Sequence, residues 1–103
     1  MSYAFIQDVP ANEEIYAEIR AELGDVPPPG LVAHLVLRRP VGLRYVDVWD
    51  DEDDWNRFRD EHVEPAVTRV LAGHGIPHDH TLVRTERIDV IHTWLGSSAP
   101  VSR

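Results

Sequence analysis

His34 and Asp47 are the two residues of this sequence whose types and spacing best fit acid–base chemistry. They lie in two β-rich runs, and a hairpin that joins these runs would place one side chain opposite the other. A carboxylate that accepts the Nδ1–H of an imidazole leaves Nε2 free as a general base toward a phenol or an activated C–H group. The same hydrogen bond could instead serve only to hold the register of the hairpin. Both interpretations stay open at the level of the sequence.

Aromatic residues and two further histidines could surround a ligand beside this pair. Trp55, Phe58 and His62 recur at helical spacing, and His92 lies on one face of a predicted strand. Aromatic rings stack on planar aromatic ligands, although stripes with this spacing also form ordinary hydrophobic cores. The predicted ligand-binding residues are Tyr45, Trp49, Trp55, Phe58, His62 and His92.

A histidine-rich stretch contains His74, His78 and His80 together with Asp79. Neutral imidazoles bind divalent transition metals, so this stretch is a candidate metal site. It also contains glycine and proline, and the sequence indicates no scaffold that would hold the ligand geometry. We therefore interpret it as a solvated loop and predict no metal site.

Other common catalytic motifs are not found in the sequence. The serines lie close to its two ends, where no rigid surroundings would position a nucleophile. No phosphate-binding glycine loop or dinucleotide-binding motif occurs, so we expect no nucleotide or flavin cofactor.

The composition indicates a small acidic globular protein. The chain has 103 residues, a formal net charge of −8, 43% hydrophobic residues and no cysteine, which excludes disulfides and fits a single domain over residues 1–103. No apolar run reaches the roughly 18 residues of a membrane span, and no secretory pattern is seen near Met1, so a cytoplasmic location is expected. The acidic excess argues against nucleic acid as a partner.

Four strands and two main helices are expected from the pattern of apolar residues. Alternation predicts strands over Tyr3–Val9, Leu31–Arg38, Leu43–Trp49 and residues 82–94. Asn12 is expected to cap a first helix that ends at Gly24, and residues 97–103 are expected to form a frayed tail.

The two middle strands are predicted to form a hairpin around residues 39–42. A loop of two or four residues pairs Arg38 with Leu43, Val36 with Tyr45, His34 with Asp47, and Val32 with Trp49.

The acidic run at residues 50–54 is expected to begin the second helix, because carboxylates stabilise helix N-termini. Pro65 would interrupt this helix or begin another short one. The expected buried face consists of Trp55, Phe58, His62, Ala66 and Val70.

The order βαββαβ predicts an α+β, ferredoxin-like fold with a four-stranded antiparallel sheet and both helices on one face. The opposite face of the sheet is also apolar, which a monomer would leave exposed. We therefore expect a homodimer that packs sheet on sheet as a dimeric α+β barrel.

The sequence resembles small dimeric proteins of the antibiotic-biosynthesis-monooxygenase-like family over residues 3–95. The resemblance rests on residues 30–34, residues 46–49, Trp55, residues 57–59, Pro65 and Ala66. It implies a ligand cavity between the sheet and the helices of each subunit. Members of this superfamily include cofactor-independent oxygenases of polyketide phenols and quinones, haem-degrading enzymes and polyketide cyclases.

The haem-degrading branch carries an asparagine on the first strand, and on the second helix a tryptophan followed by a histidine that binds iron. Here Gln7 and Phe58 stand at the first two positions, and His62 is too close to Phe58 for the usual spacing. This departure argues against haem degradation of that type, although His62 among aromatic residues keeps haem binding as an alternative.

The leading hypothesis is a cofactor-independent monooxygenase or polyketide-modifying enzyme that acts on a hydrophobic aromatic molecule. His34 would be the base and Asp47 would orient it. The alternatives are a non-catalytic binding or interaction module, in which these residues only stabilise the fold, and a haem-binding protein.

Overall fold

A computed structural model describes residues 2–96 of the chain. Its helices and strands are β1 (Tyr3–Val9), α1 (Glu13–Leu23), β2 (Leu31–Arg38), β3 (Leu43–Trp49), α2 (Glu52–Phe58), α3 (Glu64–Gly73) and β4 (Arg84–Ile88). A π-helical turn at Arg59–Val63 joins α2 to α3, and a 3₁₀ turn at His80–Leu82 precedes β4. In the described part of the chain, none of the helices is both long and apolar enough to cross a membrane.

The four strands form one antiparallel sheet in the order β4-β1-β3-β2. This strand order and the βαββαβ sequence of elements define a ferredoxin-like α+β fold, as the sequence predicts. Strand β3 lies between β2 and β1 and forms the two longest ladders of the sheet with them, so its residues are in the middle of the sheet. Trp49 of β3 and Phe5 of β1 are the largest fully buried side chains.

The register of the β2–β3 hairpin is as predicted over most of its length. Arg38 pairs with Leu43, and His34 pairs with Asp47. Gly42 closes the four-residue loop with a φ of 79° and accepts the Arg39 N–H through its carbonyl oxygen. The predicted pairing of Val32 with Trp49 is wrong, because Leu31 lies opposite Trp49. Val32 is the extra residue of an irregularity between Leu31 and Ala33, which shifts the register at the start of β2.

Helix α1 begins and ends where the sequence indicates. The Asn12 side chain accepts the Ile15 N–H at 2.8 Å, and Gly24 follows the helix with a φ of 83°. Ile15 and Ile19 are buried against Ala66 and Val70 of α3, so the two helical segments share a small core.

The second helical segment is interrupted where Pro65 lies. Asp51 caps α2 by accepting the Asp54 N–H at 2.9 Å, so the acidic run is a helix N-terminus as predicted. Pro65 lacks a backbone donor and lies in the first turn of α3. In the π turn before it, the Glu64 N–H reaches back to the Arg59 carbonyl, which adds one residue to the turn. The added residue breaks the predicted continuous face, and His62 points to solvent.

The last strand is much shorter than predicted. Strand β4 covers only Arg84–Ile88, and residues 89–96 form no strand. The reason is its partner: β4 pairs with residues 4–8 of β1, and Ile88 lies opposite Ala4, near the start of that strand. Only Tyr3 of β1 lies beyond Ala4 in this direction, so the ladder with β1 could extend by at most one more residue. The predicted tail at 97–103 lies outside the described residues.

Candidate active site

A cavity of about 450 Å³ lies between the sheet and the helices. The sheet contributes residues of β1, β2 and β3, and α1, α2 and the connector at residues 26–28 form the other walls. Its volume is within the range of sites that bind small organic molecules. Of the predicted site residues, the cavity is lined by His34, Tyr45, Asp47, Trp49, Trp55 and Phe58.

His34 and Asp47 form a short hydrogen bond at the floor of this cavity. The distance from His34 Nδ1 to Asp47 Oδ1 is 2.6 Å. Asp47 is buried, whereas the His34 side chain keeps 28% of its surface exposed. An ionised carboxylate only accepts hydrogen bonds, so in the neutral imidazole Nδ1 carries the proton and Nε2 keeps its lone pair. The pair lies on the side of the sheet that faces the helices.

The second oxygen of Asp47 is bound by Trp49. The indole Nε1–H donates to Asp47 Oδ2 at 3.1 Å, since residues two apart on a strand share a face. Both carboxylate oxygens therefore have a donor, and within residues 2–96 no buried side-chain polar atom lacks a hydrogen-bond partner. The indole can only donate, so it also determines which oxygen remains for His34.

Tyr16 of α1 completes a hydrogen-bonded chain. Its hydroxyl lies 2.9 Å from His34 Nε2 and donates to it, because Nδ1 already holds the imidazole proton. Burial raises the pKa of the Tyr16 phenol above its ordinary value, so the hydroxyl remains a donor at neutral pH. Sequence analysis does not identify Tyr16 as a site residue. Tyr16 belongs to a stripe of apolar residues at helical spacing in α1, with Ile15, Ile19 and Leu23, but such a stripe does not say which strand residue Tyr16 meets.

Tyr45 places a second phenol beside the imidazole. Its ring centroid lies 5.6 Å from that of His34 and 5.5 Å from that of Tyr16. Burial, and to a lesser extent Tyr16 and Asp47, raises the pKa of Tyr45 well above its ordinary value. Both tyrosines are therefore neutral across the physiological range.

Aromatic rings form one wall of the cavity. The Trp49 ring lies 5.5 Å from Trp55 and 5.7 Å from Phe58, and Phe5 lies 4.9 Å from Trp55. These rings come from β1, β3 and α2, and their tilted contacts form one continuous apolar surface. Such a wall suits a flat hydrophobic ligand.

The other two predicted ligand-binding residues lie apart from this cavity. His62 is exposed and borders a second, smaller pocket of about 320 Å³ beside residues 26–29, with its ring 5.5 Å from Phe58. The π turn accounts for this position, because it rotates His62 away from the face of Trp55. His92 is exposed in the segment after β4, where the prediction of a strand is wrong. Neither histidine lines the larger cavity.

Sequence comparison with known proteins gives no relative. No protein-family model matches the chain, and no curated protein matches it.

Structural comparison does find similar proteins. SnoaB, a cofactor-independent oxygenase from Streptomyces nogalater, is 19% identical, with 89% of this chain and 95% of that chain covered and a TM-score of 0.58. A proposed antibiotic biosynthesis monooxygenase from Chloroflexus aurantiacus is 15% identical, with 91% and 97% covered and a TM-score of 0.56. A protein of unknown function from Nitrosomonas europaea is 17% identical, with 94% and 95% covered and a TM-score of 0.59. The chain therefore has the fold of the antibiotic biosynthesis monooxygenase-like proteins.

Proposed function

We propose that this protein is a cofactor-independent oxygenase that acts on a hydrophobic, hydroxylated aromatic molecule. The observation that carries the proposal is the His34–Asp47 pair at 2.6 Å, with His34 Nε2 directed into an aromatic-lined cavity. The likeness in fold to SnoaB, a cofactor-independent oxygenase, supports the same class of reaction. Asp47 orients the imidazole and stabilises the imidazolium that forms when Nε2 takes up a proton.

Substrate binding begins with exchange of a hydrogen-bond donor. In the free protein the Tyr16 hydroxyl occupies His34 Nε2 at 2.9 Å. The phenolic hydroxyl of the substrate replaces it, while the substrate rings pack against Trp49, Trp55 and Phe58. Proton transfer to Nε2 then gives a phenolate, and this electron-rich anion is a stronger reductant than the neutral phenol.

The oxidation balances without a bound cofactor, because the substrate supplies the electrons. The phenolate transfers one electron to dioxygen, and the resulting superoxide and aryloxyl radical combine to form a C–O bond. The His34 imidazolium returns its proton to the peroxide, and loss of the ring C–H proton with cleavage of the O–O bond releases water. The net reaction converts a phenol and dioxygen into a quinone and water, with one oxygen atom retained in the product.

The assembly proposed for this enzyme is a homodimer. Both helical segments of residues 2–96 lie on the cavity side of the sheet, so its other face holds alternate residues that include Ile6, Leu35, Leu37 and Val46. Leu35 and Leu37 are 55% and 45% exposed. A second copy of the chain would cover this face by packing sheet on sheet. Because His34 lies on the opposite side, such a dimer leaves the cavity open to substrate.

Oxygen consumption with naphthols and hydroxyanthracenes as probes tests the catalytic proposal. We expect turnover by the wild-type protein without added metal or flavin, and a loss of about 10²-fold or more in His34→Ala. The matched control is His74→Ala, which removes an exposed histidine that pairs with Glu18 outside the cavity. If the protein binds the probes but neither the wild type nor any variant consumes oxygen, the catalytic proposal is wrong and the protein is a binding module. In that case His34→Ala lowers only the melting temperature.

A further inference from the structure

Two histidines of the loop before β4 converge on a carboxylate of α3. His80 Nε2 lies 2.7 Å from Glu64 Oε1, and His78 Nε2 lies 3.6 Å from Glu64 Oε2. One ligand atom from each of the three side chains lies within 4.8 Å of the others. These residues do not line the large cavity, so the cluster is separate from the proposed active site.

The distances suit a tetrahedral metal ion. Bonds of about 2.1 Å from zinc to nitrogen or oxygen place neighbouring ligand atoms roughly 3.4 Å apart. Closing the cluster around an ion therefore needs movements of about 1 Å by side chains that are at least partly exposed. Two imidazole nitrogens and one carboxylate oxygen leave the fourth position for water.

Thr68 supplies a supporting contact behind His78. Its Oγ1 lies 3.2 Å from His78 Nδ1, and Thr68 is one helical turn after Glu64 on the same face of α3. A hydrogen bond at Nδ1 orients the ring and leaves Nε2 as the ligand atom, which is the usual arrangement behind metal-bound histidines. The His78 side chain is 18% exposed, so its position is constrained by packing as well.

The loop that carries both histidines has its own internal order. Asp79 accepts the Thr81 N–H at 2.9 Å and the Thr81 hydroxyl at 2.6 Å, which caps the 3₁₀ turn. This places the rings of His78 and His80 with their centroids 4.1 Å apart. Both rings therefore lie beside Glu64 in one small cluster.

The structure adds two observations to the sequence-based interpretation of this stretch as a solvated loop. A scaffold is present, because α3 contributes Glu64 and Thr68. The candidate ligands also differ from those that the sequence suggests. His74 lies away from the cluster and pairs with Glu18 at 2.6 Å, and Asp79 accepts hydrogen bonds within its own 3₁₀ turn. We propose that Glu64, His78 and His80 bind one divalent transition-metal ion, with zinc preferred, and thereby tie the loop before β4 to α3.

Calorimetric titration of tag-free, metal-stripped protein with zinc chloride tests the site. We expect one ion per chain with micromolar affinity, and a loss of about tenfold or more in both His80→Ala and His78→Ala. Thr68→Val should weaken binding by a smaller factor, because it removes the support and not a ligand. His74→Ala is the matched control and should bind as the wild type does.

Cobalt provides a second readout that does not depend on calorimetry. Four-coordinate Co²⁺ with nitrogen and oxygen ligands absorbs visible light much more strongly than the hydrated ion, and zinc should displace it. His80 is exposed, so His80→Ala is expected to fold normally and to lose this absorption. Absence of saturable micromolar binding, or equal loss in His74→Ala and His80→Ala, would overturn the proposal.

Discussion

Asp47→Asn is the substitution that most directly separates a catalytic role of the pair from a structural one. The amide has almost the same shape as the carboxylate but carries one donor and one acceptor. Trp49 Nε1–H can only donate, so the amide oxygen must face Trp49 and the amide N–H₂ must face His34. His34 Nδ1 then becomes the acceptor, and the imidazole proton moves to Nε2. With Nε2 protonated, the imidazole cannot take a proton from the substrate.

The size of both effects follows from these contacts. Loss of the base function is expected to lower kcat by about 10²-fold or more. Replacing the two charged hydrogen bonds of Asp47, to His34 and to Trp49, by neutral ones costs about 2 kcal/mol of unfolding free energy. For a chain of this length, that corresponds to a melting temperature lower by about 9 °C. The protein should therefore remain folded at room temperature while losing turnover.

Three measurements check this prediction on the same samples. Oxygen consumption with a naphthol gives kcat, thermal melting gives the stability change, and ¹⁵N NMR of the imidazole reports which nitrogen is protonated. Glu18→Gln is the control, because Glu18 also bonds a histidine at 2.6 Å but in an exposed position. The reasoning is refuted if Asp47→Asn keeps kcat within about threefold of wild type, or loses kcat with the proton still on Nδ1.

Four further predictions concern other parts of the structure. Tyr16→Phe should change kcat/KM by less than about tenfold, because substrate displaces this hydroxyl; a loss of 10²-fold would instead indicate that Tyr16 relays the proton. The raised pKa of Tyr45 predicts that unfolding free energy falls as pH rises above about 10, because the unfolded phenol ionises first. In a tyrosinate absorbance titration of the folded protein, Tyr45→Phe should therefore match the wild type near that pH. Sedimentation at micromolar concentration should give twice the chain mass of 11.7 kDa for the wild type and for the control Val41→Asp. Leu37→Asp should sediment as a single chain, because it places a charge in the proposed interface. A monomeric wild type would contradict the proposed dimer. With haemin, the wild type and His62→Ala should give the same Soret absorption, without a band that depends on ligation by His62. The reason is that His62 lies outside the large cavity.

The elements predicted correctly from the sequence are those set by nearby residues. The Asn12 cap and the Gly24 stop act within one turn of α1, and the alternation of β2 and β3 together with a four-residue loop sets their register. The contact between His34 and Asp47 follows from that register alone. This is why the contact between these two residues could be predicted without knowing the tertiary structure.

The predictions that are wrong concern features that the local pattern of apolar residues does not determine. Strand β4 ends at Ile88, opposite Ala4 near the start of β1, although the apolar alternation continues in the sequence. His62 leaves the predicted helical face because the turn before Pro65 holds one residue more than an α-helical turn. Neither the length of a partner strand nor a π turn has a clear signature in a local pattern.

The sequence by itself therefore determined the βαββαβ order, the hairpin register from Arg38 back to His34, and the pairing of His34 with Asp47. Only the tertiary structure decided that Tyr16 reaches His34 Nε2 and that Glu64 meets His78 and His80. The physical reason is that periodicity assigns a residue to a face, whereas the residue it meets across that face depends on how helix and sheet, or helix and loop, pack together.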